Sequence, residues 1–188
     1  MTLTAIILCG GRSTRMGRDK SALPFGDETM LARVTRLAGS IAGQVLVVGR
    51  RDQPESTTHD AMDDQGPLAG LAAGLAASTT DLNVVVACDM PLVRPDVLQR
   101  LVDAIGDADL CVAMVDGQPS VLCGVYRSRL APVVQSLLDG GERRVRALLD
   151  CANVQRVDAS HLRDIDPELD SFVSVDTADR YRWALTRS

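Results

Sequence analysis

The sequence predicts a three-layer α/β/α domain built on a mostly parallel sheet, and three observations carry that expectation. Short β-rich apolar runs alternate with longer segments of helical spacing, the pattern of repeated strand–helix units. Val84 to Cys88 is apolar at every position, as a strand covered on both faces requires. A chain of 188 residues, 46% apolar with a net charge of −5, can close one core and is not disordered. The expected organisation is a single domain over residues 1–188.

The elements follow in order. Thr4 to Leu8 is a first strand that ends abruptly in Cys9-Gly10-Gly11. Met30, Leu31, Val34, Leu37, Ala38 and Ile41 recur at three and four, one face of a helix. Val45 to Val48 is a second strand. Leu68 to Ala77 is helical, introduced by Gly66-Pro67, and its Gly70 and Gly74 suit close packing on the sheet. Val84 to Cys88 is the third strand, and Pro95 opens a helix with a stripe of Leu98, Leu101, Val102 and Ile105. Two strands, Leu110 to Val115 and Val121 to Tyr126, flank an Asp116-Gly117 turn. A helix from Ser128 to Leu138 and a shorter one over Val145 to Leu149 come next. Val154 to Val157 and Phe172 to Val175 are expected strands, and Ala178 to Leu185 a closing helix.

Composition excludes several classes of function. An acidic chain with 3% aromatic residues lacks the basic face and stacking platforms of a nucleic-acid binder. Its longest apolar run, Leu110 to Val115, is six residues, against the ~20 of a spanning helix. No charged segment precedes the first apolar run, so it reads as a strand and not a signal peptide. Five scattered cysteines without a CxxC pair argue against disulfides and structural zinc. They read as small core residues of a cytoplasmic protein.

Against that acidic average, Arg12, Arg15, Arg18 and Lys20 fall within nine residues, directly after the first strand. Ligands in open α/β sheets bind beyond the carboxyl ends of strands. Glycines there expose backbone N–H groups, and cations neutralise phosphate. The run from Gly10 to Lys20 is neither a P-loop nor a dinucleotide fingerprint, because its glycines are spaced differently. Asp89 puts a charge where a buried strand emerges. It is placed to hold Mg²⁺, which takes oxygen ligands and usually one or two carboxylates. A turn into Pro91 would also favour Asp there.

Leu8-Cys9-Gly10-Gly11-x-Ser13-x-Arg15-Met16-Gly17-x-Asp19-Lys20 resembles the signature of the nucleotide-sugar-type nucleotidyltransferases, and within them the molybdenum cofactor guanylyltransferases (MobA-type proteins). Gly66-Pro67-Leu68-Ala69-Gly70, Ala87-Cys88-Asp89-Met90-Pro91, Gly141-Glu142-Arg143-Arg144-Val145 and Phe172-Val173-Ser174-Val175-Asp176-Thr177 resemble the family's later motifs, in the family's order. The resemblance implies a Rossmann-like nucleotidyltransferase fold whose N-terminal half binds GTP and whose C-terminal half binds the molybdopterin acceptor. It implies nucleotide contacts from Leu8, Cys9, Gly10, Gly11, Lys20, Asp60, Gly66, Pro67, Leu68 and Asp89, with Asp63 and Asp64 as alternatives to Asp60. It implies catalytic roles for Arg15, Lys20 and Asp89, and acceptor contacts from Arg144, Ser174 and Asp176.

The implied reaction moves GMP from GTP to the molybdenum-loaded molybdopterin phosphate and releases pyrophosphate, with Mg²⁺ on Asp89 and with transient contacts to cofactor-insertion proteins. Gly10-Gly11 and Asp19-Lys20 favour GTP, since related cytidylyltransferases tend toward Ala-Gly and Pro-Lys. Ser174 and Asp176 stand where some relatives carry asparagines, and Asp176 has a second role open to it, capping the last helix with Thr177. The alternatives are CTP, another phosphorylated acceptor, or a non-catalytic nucleotide-binding regulator.

Overall fold

The computed structural model describes residues 2–9, 21–49, 57–59 and 66–187. Its strands are β1 (Leu3–Leu8), β2 (Pro24–Phe25), β3 (Glu28–Thr29), β4 (Gln44–Gly49), β5 (Thr58–His59), β6 (Leu82–Ala87), β7 (Leu110–Val115), β8 (Gln118–Arg127) and β9 (Val154–Asp158). Its helices are α1 (Met30–Gly39), α2 (Pro67–Ala77), α3 (Pro95–Ala104), α4 (Ala131–Asp139) and α5 (Ala178–Leu185). Short 3₁₀ turns cover Ser128–Leu130, Val145–Asp150, Ala159–Leu162 and Asp170–Phe172.

Seven strands form one sheet in the order β5-β4-β1-β6-β8-β7-β9. β5, β4, β1 and β6 run parallel, β8 runs antiparallel to β6 and β7, and β9 is parallel to β7. The mostly parallel, helix-covered sheet is therefore as the sequence predicts. Alternation along β1 shows why both faces must be covered. Ala5 and Ile7 enter one core with Leu31 and Val34 of α1 and Leu98 and Leu101 of α3. Ile6 and Leu8 enter the other with Leu68 and Leu71 of α2 and Val134 of α4. Each such aliphatic side chain contributes about 1.5–3 kcal/mol by leaving water.

Local chemistry sets the helix starts. The Thr29 hydroxyl accepts from the Ala32 N–H at 3.1 Å and caps α1. Pro67 and Pro95 occupy first-turn positions, where a missing N–H costs nothing. Gly74 lets α2 lie flat on β1: a Cβ there would fall 2.5 Å from Ile6 Cγ2.

One expected strand is absent. Phe172 to Val175 closes a 3₁₀ turn and continues as extended chain outside the sheet. Its backbone donors are committed elsewhere, Phe172 N–H to Leu169 O and Val173 N–H to Asp170 O at 3.1 Å each, and Val175 N–H to the Asp89 carbonyl at 2.7 Å. The β2–β3 hairpin and β5 were not predicted, each strand being two residues long.

Candidate functional site

The parallel strands β1, β4 and β6 end in register, Leu8 opposite Val48 and Ala87. The chains leaving them stay stitched, with Cys9 N–H donating to Val48 O at 2.7 Å and Cys88 N–H to Leu8 O at 3.0 Å. Leu8 and Cys9 are buried at this carboxyl edge, so they shape its floor. Gly10, Gly11, Arg15, Lys20 and Asp60 lie outside the described residues, as do Asp63 and Asp64.

Asp89 sits half-buried in the turn after β6, closed by Met90 N–H on Ala87 O at 3.1 Å. The turn is held from two sides. Ser174 Oγ donates to Asp89 Oδ2 at 2.8 Å, beside the Val175 bond to the Asp89 carbonyl. From α1, Arg33 Nε donates to Pro91 O at 2.8 Å. Sequence reasoning missed both partnerships: Ser174 was expected at the acceptor, and nothing in the sequence distinguishes Arg33 from any helix-surface arginine.

A second cluster forms at the start of α2. Gly66 takes φ +83°, and Leu68 N–H donates to Arg143 O at 3.2 Å. The Gly66-Pro67-Leu68 and Arg143-Arg144 motifs are thus brought together across 75 residues of sequence (68 to 143). The Arg144 side chain is 81% exposed and forks onto Glu142, Nε to Oε1 at 3.0 Å and Nη2 to Oε2 at 2.9 Å. That fork, with the backbone N–H groups of Arg144 and Arg143, holds the Glu142 carboxyl down at about 2.

Asp176 pairs with Arg180 at 3.3 Å, and Arg180 also donates to Ser174 O at 3.1 Å. Thr177 alone supplies the side-chain cap of α5, accepting from Arg180 N–H at 3.2 Å. Of the three expected acceptor contacts, then, Ser174 is joined to Asp89, Arg144 to Glu142 and Asp176 to Arg180.

Among the described residues, no three His, Cys, Asp or Glu side chains form a cluster that could hold a metal ion. Mg²⁺ does not need one. It keeps several waters and is bound through one or two carboxylates plus substrate phosphates. A single carboxylate fixed by a serine at the sheet edge fits that donor set. Among the described residues, no helix is long and apolar enough to cross a membrane.

Comparison with known proteins extends these observations. The family model described as "MobA-like NTP transferase domain" matches residues 5–158. A probable molybdenum cofactor guanylyltransferase of Mycolicibacterium paratuberculosis is 33% identical over 184 residues, covering 90% of this chain and 93% of its own. Another from Flavobacterium johnsoniae is 27% identical, covering 88% and 92%. The crystal structure of molybdopterin-guanine dinucleotide biosynthesis protein A from Archaeoglobus fulgidus superposes with a TM-score of 0.85 at 25% identity, over 98% of this chain and 97% of that one.

Proposed function

The chain belongs to the MobA-like NTP transferase domain family and is a nucleotidyltransferase, and from that premise we propose that it transfers GMP from GTP to the phosphate of molybdenum-loaded molybdopterin, releasing pyrophosphate. The observation that carries the reading is Asp89, a carboxylate at the mouth of a parallel sheet, oriented by Ser174. The names of the relatives support guanosine as the nucleoside and molybdopterin as the acceptor.

Little covalent chemistry falls to the protein in such a transfer, which rests on positioning and charge stabilisation. Arg15 and Lys20 hold the β and γ phosphates and stabilise the leaving pyrophosphate. Asp89 binds Mg²⁺, and Ser174 keeps its carboxylate aimed. Mg²⁺, when bound, neutralises charge on the phosphate oxygens. Gly66, Pro67 and Leu68 shape the nucleotide pocket, and Asp60 reaches the nucleotide. Arg144 takes the acceptor: its bond to Glu142 is exposed and worth little, so an incoming phosphate displaces it at small cost. No general base is required, because a phosphate monoester with a second pKa of about 6 is largely ionised at neutral pH.

Thermal stability with GTP, CTP and ATP, with and without Mg²⁺, tests the nucleotide. GTP at a hundred times its Kd should add about 2.7 kcal/mol. At about 2–4 °C per kcal/mol this raises Tm by roughly 5–10 °C. Selective stabilisation by CTP sinks the guanylyl reading, and no response to any nucleotide sinks the triphosphate site. Asp89→Asn should lower turnover by orders of magnitude while GTP binding is partly kept. Unchanged turnover would remove Asp89 from the reaction, whereas a regulator would show no turnover in the parent and would keep its output in the variant.

A further inference from the structure

A cavity of about 220 Å³ lies between α1, the start of α3 and the C-terminal segment, and three arginines line it: Arg33, Arg94 and Arg187. Its remaining walls include Leu37, Leu92 and Asp170. The volume is below the ~300–1,000 Å³ of pockets that take drug-sized ligands, and suits a small ion.

Each guanidinium is held in place by part of its donor set. Arg33 Nε is on Pro91 O at 2.8 Å, with the guanidinium carbon 4.9 Å from the Phe25 ring centre. Arg94 donates from Nη1 to Ile165 O at 3.1 Å and lies 3.5 Å through Nε from Asp166. Arg187 donates from Nη1 to Asp170 Oδ2 at 3.2 Å and stacks 5.3 Å from the Trp183 ring centre. Among the described residues, none of the three commits its Nη2 amino group. Three pre-positioned cations therefore carry unused N–H donors around one cavity, a setting for charge-assisted bonds to an oxyanion.

Counter-charges set the strength. Asp170 is the one carboxylate in the lining and is 11% exposed on its side chain. Asp166 and Glu28 pair with Arg94 and Arg33 from outside the lining. Arg94 and Arg187 are 51% and 40% exposed, so water competes for them. Three arginines are thus matched by three carboxylates, so an anion bound here gains from directed N–H donors and not from an excess of positive charge.

We infer that this cavity is a second anion site, binding a tetrahedral phosphoryl group, either inorganic phosphate or a small phosphate monoester, independently of the nucleotide. It bears on the reaction turn, because Leu92 and Val93 line it and Arg33 holds the Pro91 carbonyl two residues from Asp89. The inference does not rest on the proposed guanylyl transfer, since it needs only the described arginines.

Calorimetric titration of the full chain at constant ionic strength tests it, with inorganic phosphate, glycerol phosphate and chloride as separate ligands. Saturable one-site binding of a phosphate with roughly millimolar Kd is expected, and none of chloride. Tighter binding of the ester identifies that source, and tighter binding of the inorganic ion the other. Arg94→Gln/Arg187→Gln should weaken binding by roughly tenfold or more, as loss of charge-assisted bonds implies. If that double variant does not fold, the Arg187→Gln single should still weaken binding severalfold and Arg187→Lys should restore most of it. Saturating GTP with Mg²⁺ should leave phosphate binding unchanged. The inference is overturned by absence of saturable binding, by variants that bind as the parent does, or by displacement with GTP. A chain that ignores GTP but binds phosphate through these arginines refutes the proposed function alone.

Discussion

Ser174 donates its hydroxyl proton to Oδ2 of Asp89 at 2.8 Å, although 85 residues separate the two in sequence. The bond is one of a pair, since the next residue's N–H reaches the Asp89 carbonyl at 2.7 Å. The C-terminal segment thus holds both the backbone and the side chain of the residue proposed to carry the metal. Arg180, reaching back from α5 to Ser174 O at 3.1 Å, fixes the segment in turn.

Removing that hydroxyl should act on the metal and leave the fold intact. Partners of metal ligands typically contribute about 10–100-fold in metal affinity or activity. Ser174→Ala is therefore expected to raise the Mg²⁺ concentration for half-maximal turnover by that order, with Tm close to the parent's. A Mg²⁺ titration of pyrophosphate release measures it. An unshifted midpoint would leave Ser174 without an orienting role.

Glu142 gives a pH signature. The Arg144 fork and two backbone N–H groups hold its carboxyl at about 2 against an ordinary 4.5. Because the folded value lies below the unfolded one, the interaction is complete above about pH 4.5 and is lost as pH falls toward 2. The pair lies at the surface, so the readout is the titration itself and not Tm. Carbon-13 shifts of Glu142 should titrate near the lower value, and Arg144→Ala should return them toward the ordinary carboxylate range. A Glu142 midpoint that Arg144→Ala leaves unmoved would contradict the fork.

The legible and illegible parts of the molecule divide by range. Val84 to Val86 announce a buried strand through apolar continuity, and the charge at Asp89 marks where it leaves the sheet, both local facts. Pro95 marks a helix start for an equally local reason. Phe172 to Val175 looks like a strand by the same local logic, yet 3₁₀-type bonds take the N–H groups of Phe172 and Val173, and the distant Asp89 carbonyl takes that of Val175. The role of Ser174 and the contact of Arg143 with Leu68 are equally non-local, so no motif spacing discloses them.

Cysteine reactivity should follow burial. Burial pushes the thiols of Cys111 and Cys123 up to about 12, while Cys151, whose thiol is raised by desolvation first and then by Asp150, is exposed. A thiol reagent at mildly alkaline pH should label Cys151 first. Cys111 and Cys123 should react only as fast as the protein opens, since the thiolate is the nucleophile. Time-resolved mass spectrometry of labelled peptides checks the order, and Cys123 reacting as fast as Cys151 would refute it.

Gly66 links backbone conformation to the junction of the two motif clusters. It takes φ +83° with ψ 177°, a region essentially confined to glycine, and a side chain forced there costs of order 1–3 kcal/mol. A Cβ would also fall 3.1 Å from Arg143 O and 3.3 Å from Arg143 Cβ, against the very carbonyl that Leu68 N–H binds at 3.2 Å. Gly66→Ala should therefore lower Tm by roughly 2–12 °C, at about 2–4 °C per kcal/mol. Gly141 is the control: its φ is +88°, but nothing lies within 4 Å of a Cβ built on it. Gly141→Ala meets backbone strain alone, so a larger loss at Gly66 measures the crowding against Arg143. Calorimetric unfolding of both variants makes the comparison, and equal losses would mean that the Arg143 segment yields freely. In that event the start of α2 would not depend on close contact with Arg143, and the two clusters would be neighbours without being coupled.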